Sequence, residues 1–243
     1  MESITSKTQI RALIPVLLEA YTSGGTAALA DAVHSHLLQY KVRFPLLEYA
    51  AQELAAILPE QAQVAFTDSL MELDTIGGNT IAGMILQLRL HRHFDESLTK
   101  AAAYIIRGNQ WYVCDIIGER VMGFALLHYP GRTLPVLQGL AAHPDKWLVR
   151  SVGVATHYAV KKGLQKKDAA TMFGLLLSLA GATEFHTKKG IGWAAKTIAK
   201  FHPDIIATYS ERLRTDADIK QWFRTKINIG LSRSSKYATK YPG

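Results

Sequence analysis

A tryptophan and an aspartate stand four residues apart in the segment Asn109-Gln110-Trp111-Tyr112-Val113-Cys114-Asp115. On a helix, Trp111 and Asp115 share one face, which places a large aromatic ring beside a carboxylate. A carboxylate can stabilise positive charge that develops in a transition state, and an indole face attracts a cation. The alternative interpretation is a core tryptophan followed by a solvated aspartate, and spacing alone does not exclude it.

A second tryptophan lies in the lysine-rich segment Lys188-Lys189-Gly190-Ile191-Gly192-Trp193. On a helix, one continuous stripe contains Lys189, Trp193, Lys196 and Lys200. Lysines around a tryptophan suit a phosphate backbone with a base beside it. A solvated lysine face with a tryptophan at its edge fits the same spacing.

A third segment, Trp147-Leu148-Val149-Arg150, places a tryptophan and an arginine three residues apart on one helix face, with Lys161 about three turns further along. These cations suit phosphate contacts. An arginine whose aliphatic part covers a helix while its charge reaches solvent is the alternative.

The elements that must position these residues are helices, because helical periodicity dominates and no stretch alternates as a strand does. Helices are predicted from Ile10 to Leu18, from Leu29 to about Tyr40 and from Pro45 to Ile57, with Pro59 as a stop. Further helices are predicted at about 60–75, 80–92, 95–107, 110–127, 146–162, 169–181, 185–201, 204–213 and 216–228.

Glycine and proline mark the predicted breaks between these helices. Ser23-Gly24-Gly25-Thr26 ends one helix and caps the next, and Gly77-Gly78-Asn79-Thr80 is interpreted as a C-cap followed by an N-cap. Pro130-Gly131 is a predicted turn, Pro135 opens a short helix, and His143-Pro144-Asp145 leads into the helix that begins at about Lys146.

The net charge of +8 is unevenly distributed along the 243 residues. Residues 1–143 contain 10 Lys and Arg against 13 Asp and Glu, a balance of −3, whereas residues 144–243 contain 18 against 7, a balance of +11. This asymmetry favours a polyanionic partner for the second half of the chain, although solvated lysine faces are common on helical proteins.

Composition indicates a globular protein, with 48% apolar residues and a single cysteine, Cys114. An internal disulfide is excluded, and a reducing compartment is the natural expectation. Met1 to Arg11 lacks the order of a signal peptide, and the apolar run Leu175 to Ala182 is too short to span a bilayer. A cytoplasmic protein with no membrane association is therefore expected.

Together, the Asn-x-Trp-x-x-x-Asp, Trp-Leu-x-Arg and Lys-x-Ile-Gly-Trp patterns resemble those of the AlkD-like DNA alkylation repair enzymes, which are DNA glycosylases. The resemblance extends from Lys41-Val42-Arg43-Phe44-Pro45 to Phe201-His202-Pro203-Asp204 and is most specific in these three patterns. It implies an all-α fold of HEAT-like helical repeats, forming a curved α-solenoid with a concave basic face. One such domain would cover residues 1–230, with a basic, frayed tail at 231–243.

The resemblance also implies an activity: excision of cationic N3- or N7-alkylated purines from duplex DNA, in base excision repair, by a monomer that associates with the nucleoid when bound to DNA. Asp115 would be the electrostatic and water-positioning catalyst, with Trp111 and Trp193 as its aromatic contacts. The implied DNA-backbone contacts are Arg150, Lys189, Lys196, Lys200 and Lys161.

Two positions depart from the family pattern. Family members have an arginine where this chain has Lys196, which keeps the charge but loses the bidentate geometry. Members also have a lesion-facing tyrosine that aligns with Ala32, and Tyr40 lies nearby but out of register. These departures leave the role of the N-terminal helices open. Relatives with this fold and weak or absent excision are known, so fold does not decide activity.

No metal or cofactor is expected. His34-x-His36 and His91-x-His93 place paired rings on different sides of a helix, and Gly190-x-Gly192 lacks the preceding strand of a dinucleotide site. Two alternatives to the glycosylase remain. One is a non-catalytic binder of DNA structure on the same fold, and the other is a helical-repeat adaptor for proteins, which predicts scattered cations and an apolar groove.

Overall fold

The computed structural model describes residues 3–237, and nearly all of them are helical. This confirms the predicted all-α helical-repeat class. The non-helical residues in the described part include two short parallel strands of two residues each, β1 (Ser3–Ile4) and β2 (Lys41–Val42), which were not predicted. The chain divides after Gly108 into two compact units. The predicted single domain over 1–230 and its curvature stay predictions.

Unit 1 contains the first helices of the chain. They are α1 (Lys7–Val33), a π-helical stretch (His34–Leu38), α2 (Phe44–Ile57), α3 (Glu60–Glu72), α4 (Ile76–Arg89) and α5 (Phe94–Gly108).

Unit 2 contains the elements that hold the candidate site. They are α6 (Trp111–Ile117), a π-helical stretch (Gly118–Gly123), α7 (Phe124–His128), α8 (Pro130–Ala141), α9 (Lys146–Lys161), α10 (Lys166–Ser178), α11 (Phe185–Phe201), α12 (Pro203–Thr208), α13 (Ser210–Thr215), α14 (Gln221–Leu231) and α15 (Ser234–Tyr237). The rest of the predicted tail, residues 238–243, lies outside the described residues.

The predicted break at Ser23–Thr26 is confirmed inside α1. Gly25 has a φ of 68° and a ψ of −155°, which no helix contains and which a residue with a Cβ would adopt under strain. Before the break, Ser6 and Gln9 form a reciprocal N-terminal cap, in which the Gln9 amide donates to Ser6 Oγ over 3.3 Å and the Ser6 amide donates to Gln9 Oε1 over 3.1 Å.

The segment Lys7–Leu38 is long and apolar enough to cross a membrane by length and composition, with a hydropathy of 1.2. No segment long and apolar enough to cross a membrane was predicted from the sequence. One helix near the N-terminus is weak evidence for a span. Its backbone is broken at Gly25. Ile10, Leu17 and Leu29 are buried in unit 1, although only 11% of the apolar window is buried.

The interpretation of Gly77-Gly78-Asn79-Thr80 as a break is wrong. The helix α4 begins at Ile76, because the hydroxyl of Thr75 accepts a hydrogen bond from the Gly78 amide over 3.0 Å and caps it there. Gly78 serves close packing, since a Cβ on it would lie 2.9 Å from the carbonyl oxygen of Leu70.

The predicted turn at Pro130-Gly131 is also wrong, because α8 begins at Pro130 itself and Pro135 lies inside it. A proline loses nothing in the first turn, where its missing N–H would have no helical partner. Other boundaries also differ. The helix α10 begins at Lys166, the predicted helix over 204–213 is split into α12 and α13, and the helix predicted over 216–228 is α14, which runs from Gln221 to Leu231.

Four helical elements of unit 2 stack side by side, and we call them the unit 2 stack: α6 with its continuation to His128, α9, α11 and α14. Gly118 faces Val154 and Gly123 faces Tyr158, so the first two elements run in the same direction. Further along the stack, Gly153 faces Gly190. These partners are separated by 35 to 37 positions, a spacing typical of stacked helical repeats.

Candidate nucleic-acid interface

The start of α6 is fixed by Asn109. This residue has a φ of 43°, a left-handed conformation that asparagine tolerates better than most residues. Its Oδ1 accepts a hydrogen bond from the indole nitrogen of Trp147 over 2.6 Å. The residue that leads into α6 is thereby held against α9, and α6 begins two residues later, at Trp111.

Trp147 is a structural residue, consistent with the ordinary interpretation of a tryptophan in a helix. It is buried, its ring lies 4.3 Å from that of His186, and its carbonyl oxygen accepts from the thiol of Cys114 over 3.2 Å. Burial raises the pKa of the Cys114 thiol, which is therefore protonated at neutral pH. This cysteine holds α6 to α9 and has no nucleophilic character.

Asp115 and Arg150 form a bidentate ion pair between α6 and α9. Arg150 Nε donates to Asp115 Oδ1 and Arg150 Nη2 donates to Asp115 Oδ2, each over 2.9 Å. The third guanidinium nitrogen, Nη1, donates to the carbonyl oxygen of His186 over 3.1 Å. The Asp115 side chain is 19% exposed and that of Arg150 is 8% exposed. Arg150 thus orients the carboxylate, and its predicted contact with DNA backbone stays a prediction.

The position of Arg150 depends on a glycine in α11. A Cβ on Gly190 would lie 2.6 Å from the Arg150 carbonyl oxygen and 2.7 Å from its Cγ. The same side of α9 approaches even closer at Gly153, where a Cβ would lie 2.2 Å from the Gly190 carbonyl oxygen. From the sequence, Gly190 and Gly192 were considered only as parts of a dinucleotide site. The close packing of α9 against α11 at Gly190 was not predicted.

Trp111 lies one turn before Asp115 on α6, as predicted, and 54% of its surface is exposed. Its ring meets Tyr112 edge to face at a centroid distance of 5.9 Å. An indole left this accessible beside a partly exposed carboxylate is available to a ligand. The predicted pairing of Trp111 with Asp115 on one helix is confirmed.

Trp193 is half-buried and stacks on His157 of α9, with ring centroids 3.8 Å apart and an angle of 24° between planes. The Thr197 hydroxyl donates its single proton to the Trp193 carbonyl oxygen, so it accepts from His157 Nδ1 over 2.7 Å. One face of the indole is therefore occupied by an imidazole. The predicted role of Trp193 as an aromatic contact beside Asp115 stays a prediction.

His157 is held in its neutral form. Burial, followed by the charges of three lysines, lowers its pKa to about 3; the lysines are Lys161, Lys196 and Lys200. These three cations come from α9 and α11 and lie close enough to His157 for their charges to act on it. The Lys200 ammonium itself lies 4.4 Å from the ring of Phe201 and 4.1 Å from that of Tyr237. The predicted role of the lysine stripe around Trp193 stays a prediction.

The basic surface continues beyond the residues that the sequence predicted. Lys196 is partly buried, and burial together with Lys226 and Arg233 lowers its pKa. At the other end of α11, the Lys189 ammonium lies 5.1 Å from the ring of Phe185, which is 58% exposed. Lys226, Arg233 and Phe185 were missed, because no local pattern connects them with Trp193.

A second carboxyl group follows Asp115 by one turn. Burial raises the pKa of Glu119, and the charges of Arg120, Lys161 and Lys162 oppose that rise. Spacing from Asp115 could have revealed it, since residues four apart share a helix face.

In unit 1, Ala32 lies in α1 and is half-buried, and Tyr40 follows the π-helical stretch. Within residues 3–237, no group of three or more His, Cys, Asp or Glu side chains is arranged to hold a metal ion.

An all-α repeat protein with an excess of cations on the helices of one unit suits a polyanionic partner. A family model described as DNA alkylation repair enzyme matches residues 17–227, and the chain belongs to this family. DNA alkylation repair is accordingly its general function, and DNA is the partner that the family implies. Comparisons with curated proteins and with solved structures gave no significant match.

Proposed function

We propose that this protein is a DNA N-glycosylase that excises cationic N3- and N7-alkylated purines from duplex DNA and acts as a cytoplasmic monomer. One observation carries the proposal: Asp115 is fixed by Arg150 one turn from the exposed Trp111, in a unit where the charges of three lysines act on the histidine that stacks on a second tryptophan.

Asp115 supplies the negative charge for this reaction. A purine alkylated at N3 or N7 is already a cation, so it leaves without protonation while positive charge develops on the sugar. Arg150 occupies one lone pair on each carboxylate oxygen, and the remaining lone pairs can face the sugar or a water molecule. Because both oxygens are held, no reorientation is needed in the transition state.

Trp111 and Trp193 supply the aromatic contacts. Each indole attracts a cationic base by roughly 0.5–2 kcal/mol. The His157 imidazole covers one face of Trp193, which leaves the other face for the base. Because His157 is neutral, it adds no positive charge next to a cationic ligand.

The cations of the unit 2 stack bind the DNA backbone in this proposal. Lys161, Lys189, Lys196 and Lys200 contact phosphates without reading sequence, as lysines do at most DNA interfaces. The charges of Lys161, Lys196 and Lys200 all act on His157, and this concentration of cations favours a polyanion over the protein partner of an adaptor.

A non-catalytic binder of DNA structure is the second candidate. The observation that favours it is the ion pair itself, since a carboxylate with both oxygens bonded to a buried arginine is also a common structural link between helices.

Substrate charge tests the proposal directly. One duplex carries 7-methylguanine and a matched duplex carries hypoxanthine, a neutral base, and release of free base is measured from each. We expect release of 7-methylguanine only, because a neutral purine needs protonation to leave. Release of hypoxanthine at a similar rate contradicts the mechanism, and release of neither base supports the non-catalytic binder.

A further inference from the structure

The helix α14 places a lysine next to the Trp193 turn of α11. A Cβ on Gly192 would lie 2.9 Å from Lys226 Cγ and 3.5 Å from Lys226 Cε. The Lys226 side chain therefore packs over Gly192, where there is no room for a Cβ. The ring of Trp222 lies on the same side of Gly192, 3.4 Å from that Cβ position.

A second close approach between these helices brings in Arg233. A Cβ on Gly230 would lie 2.4 Å from the Lys196 carbonyl oxygen, and Arg233 follows Gly230 by three residues. The charges of Lys226 and Arg233 both act on Lys196. We call Lys196, Lys226 and Arg233 the α11–α14 cluster.

The α11–α14 cluster has no acidic counterpart. Neither α11 nor α14 contains an aspartate or glutamate, and residues 219–243 contain none at all. None of the three cations forms a salt bridge within residues 3–237. Arg224, on the same helix, shows the contrast: its guanidinium donates to the carbonyl oxygens of Leu213, Ile219 and Asp216 and is used internally.

The cluster lies at the far end of the unit 2 stack from Asp115. From α6 to α14 there are three steps between neighbouring helices, each about 8–10 Å between axes, or roughly 24–30 Å in total. Successive base pairs of DNA are separated by about 3.4 Å, so this length corresponds to about seven to nine base pairs.

We infer that the α11–α14 cluster binds the phosphate backbone of duplex DNA on one side of the lesion, about seven to nine base pairs from it. The inference rests on the proposed function in one respect only, that Asp115 marks the position of the lesion. It predicts an asymmetric footprint, because Lys226 and Arg233 lie at one end of the stack.

Duplexes of different arm length test this placement. Each contains one tetrahydrofuran abasic-site analogue to set the register, with arms of about 15 base pairs, or with one arm or the other cut to about 4. Binding is titrated by fluorescence anisotropy between 50 and 200 mM salt, a range in which phosphate contacts weaken strongly. The proteins are wild type, Lys226→Ala/Arg233→Ala and a control of equal charge, Lys167→Ala/Lys220→Ala.

On the long duplex, we expect the Lys226→Ala/Arg233→Ala variant to bind about tenfold more weakly, with a salt slope reduced by about 1.8 for two lost phosphate contacts. Cutting one arm should weaken wild type to the level of this variant, and cutting the other should preserve the difference between them. The control variant should bind like wild type. Lys226→Gln/Arg233→Gln, which keeps part of each aliphatic chain and a polar end but removes the charge, should match the alanine variant.

An unchanged affinity and salt slope of Lys226→Ala/Arg233→Ala on the long duplex overturns the inference, as does an equal loss in the control. Equal losses from the two truncations overturn the one-sided placement. Failure of the proposed function has a different signature: wild type releases no base, yet the salt slope still falls in the Lys226→Ala/Arg233→Ala variant.

Discussion

The interaction of His157 with Trp193 illustrates how one residue sets the properties of another. The imidazole lies under the indole and is bonded through Thr197 to the same helix turn, so the orientation of the ring follows from three residues. A protonated imidazole in this position would compete with a cationic base for the indole. Burial and the surrounding lysines prevent that.

The depressed pKa of His157 predicts a pH dependence of stability. The folded-state pKa of about 3 lies below the ordinary value of 6.5, so the unfolded chain binds the proton more readily. Stability from this residue is complete above pH 6.5 and is lost as the pH falls towards 3, by up to about 1.4 kcal/mol per pH unit. Urea unfolding of wild type and His157→Gln between pH 7 and pH 5 measures it, and His157→Gln should show the shallower dependence.

Two substitutions of Asn109 separate the contribution of its hydrogen bond to Trp147 from that of its backbone strain. Asn109→Ala loses the bond to the Trp147 indole and places an alanine at a φ of 43°, and we expect a loss of about 1–3 kcal/mol in the free energy of unfolding. Asn109→Gly loses the bond but relieves the backbone, so it should be the milder variant in chemical denaturation. A glycine variant as unstable as the alanine variant would show that backbone strain contributes nothing.

Helix packing decides whether Asp115 is held in place. The stack depends on glycines at its close approaches, of which Gly190 lies against both the backbone and the side chain of Arg150. Any side chain there must push α9 and α11 apart or displace the arginine, and displacement frees the carboxylate.

Gly190→Ala is therefore expected to lower stability by about 1–3 kcal/mol and to reduce base excision more than DNA binding. The matched control is Gly139→Ala in α8, where a Cβ meets nothing within 4 Å; it should be neutral or stabilising by roughly 0.5–1 kcal/mol. Thermal unfolding and single-turnover excision of both variants provide the comparison. If excision is normal in Gly190→Ala, the positioning role of Arg150 is contradicted.

The sequence predicted the helices better than their contacts. Both ends of α11 were predicted correctly, because Pro203 and the apolar face of Ile191, Ala194 and Ile198 define that helix. Gly77 and Pro130 were misinterpreted, since glycine and proline punctuate helices in some contexts and permit packing or open a helix in others. The partners of Gly190 and Gly192 lie 30 to 40 positions away along the chain, beyond the reach of local patterns.

The candidate site was predicted in its residue types and not in its pairings. Trp111, Asp115 and Trp193 were predicted from motifs and a family resemblance. The bond between Asp115 and Arg150 and the stacking of Trp193 on His157 are contacts between helices, and no motif predicted them. The paired residues are 35 positions apart in the first case and 36 in the second, a separation that a single sequence without repeats of clear identity does not bridge.

The charge of the whole molecule is concentrated where the polyanion site is proposed. The balance of +11 over residues 144–243 coincides with α9, α11 and α14, and it should dominate the affinity for DNA of any sequence. In the proposed mechanism, specificity for a lesion comes from the few residues around Asp115.

Lys196→Ala tests this division. The variant should weaken binding to every duplex alike and reduce the salt slope by about 0.9, the value of one phosphate contact. Lys196→Arg should bind at least as tightly as wild type, because a guanidinium can bond a phosphate in a bidentate manner. Anisotropy titrations against several unrelated duplexes measure both, and an effect confined to one sequence would contradict a backbone contact.

The most direct test of the central claim is the single-turnover release of 7-methylguanine and 3-methyladenine from methylated duplex DNA by three proteins: wild type, Asp115→Asn and Glu119→Gln. Asparagine keeps the shape of Asp115 but loses its charge, whereas Glu119→Gln removes a carboxyl group one turn further along. We predict rapid release by wild type and Glu119→Gln, at least about a hundredfold slower release by Asp115→Asn, and nearly equal DNA binding by all three. Undiminished release by Asp115→Asn, with the protein folded and bound to DNA, would contradict the account.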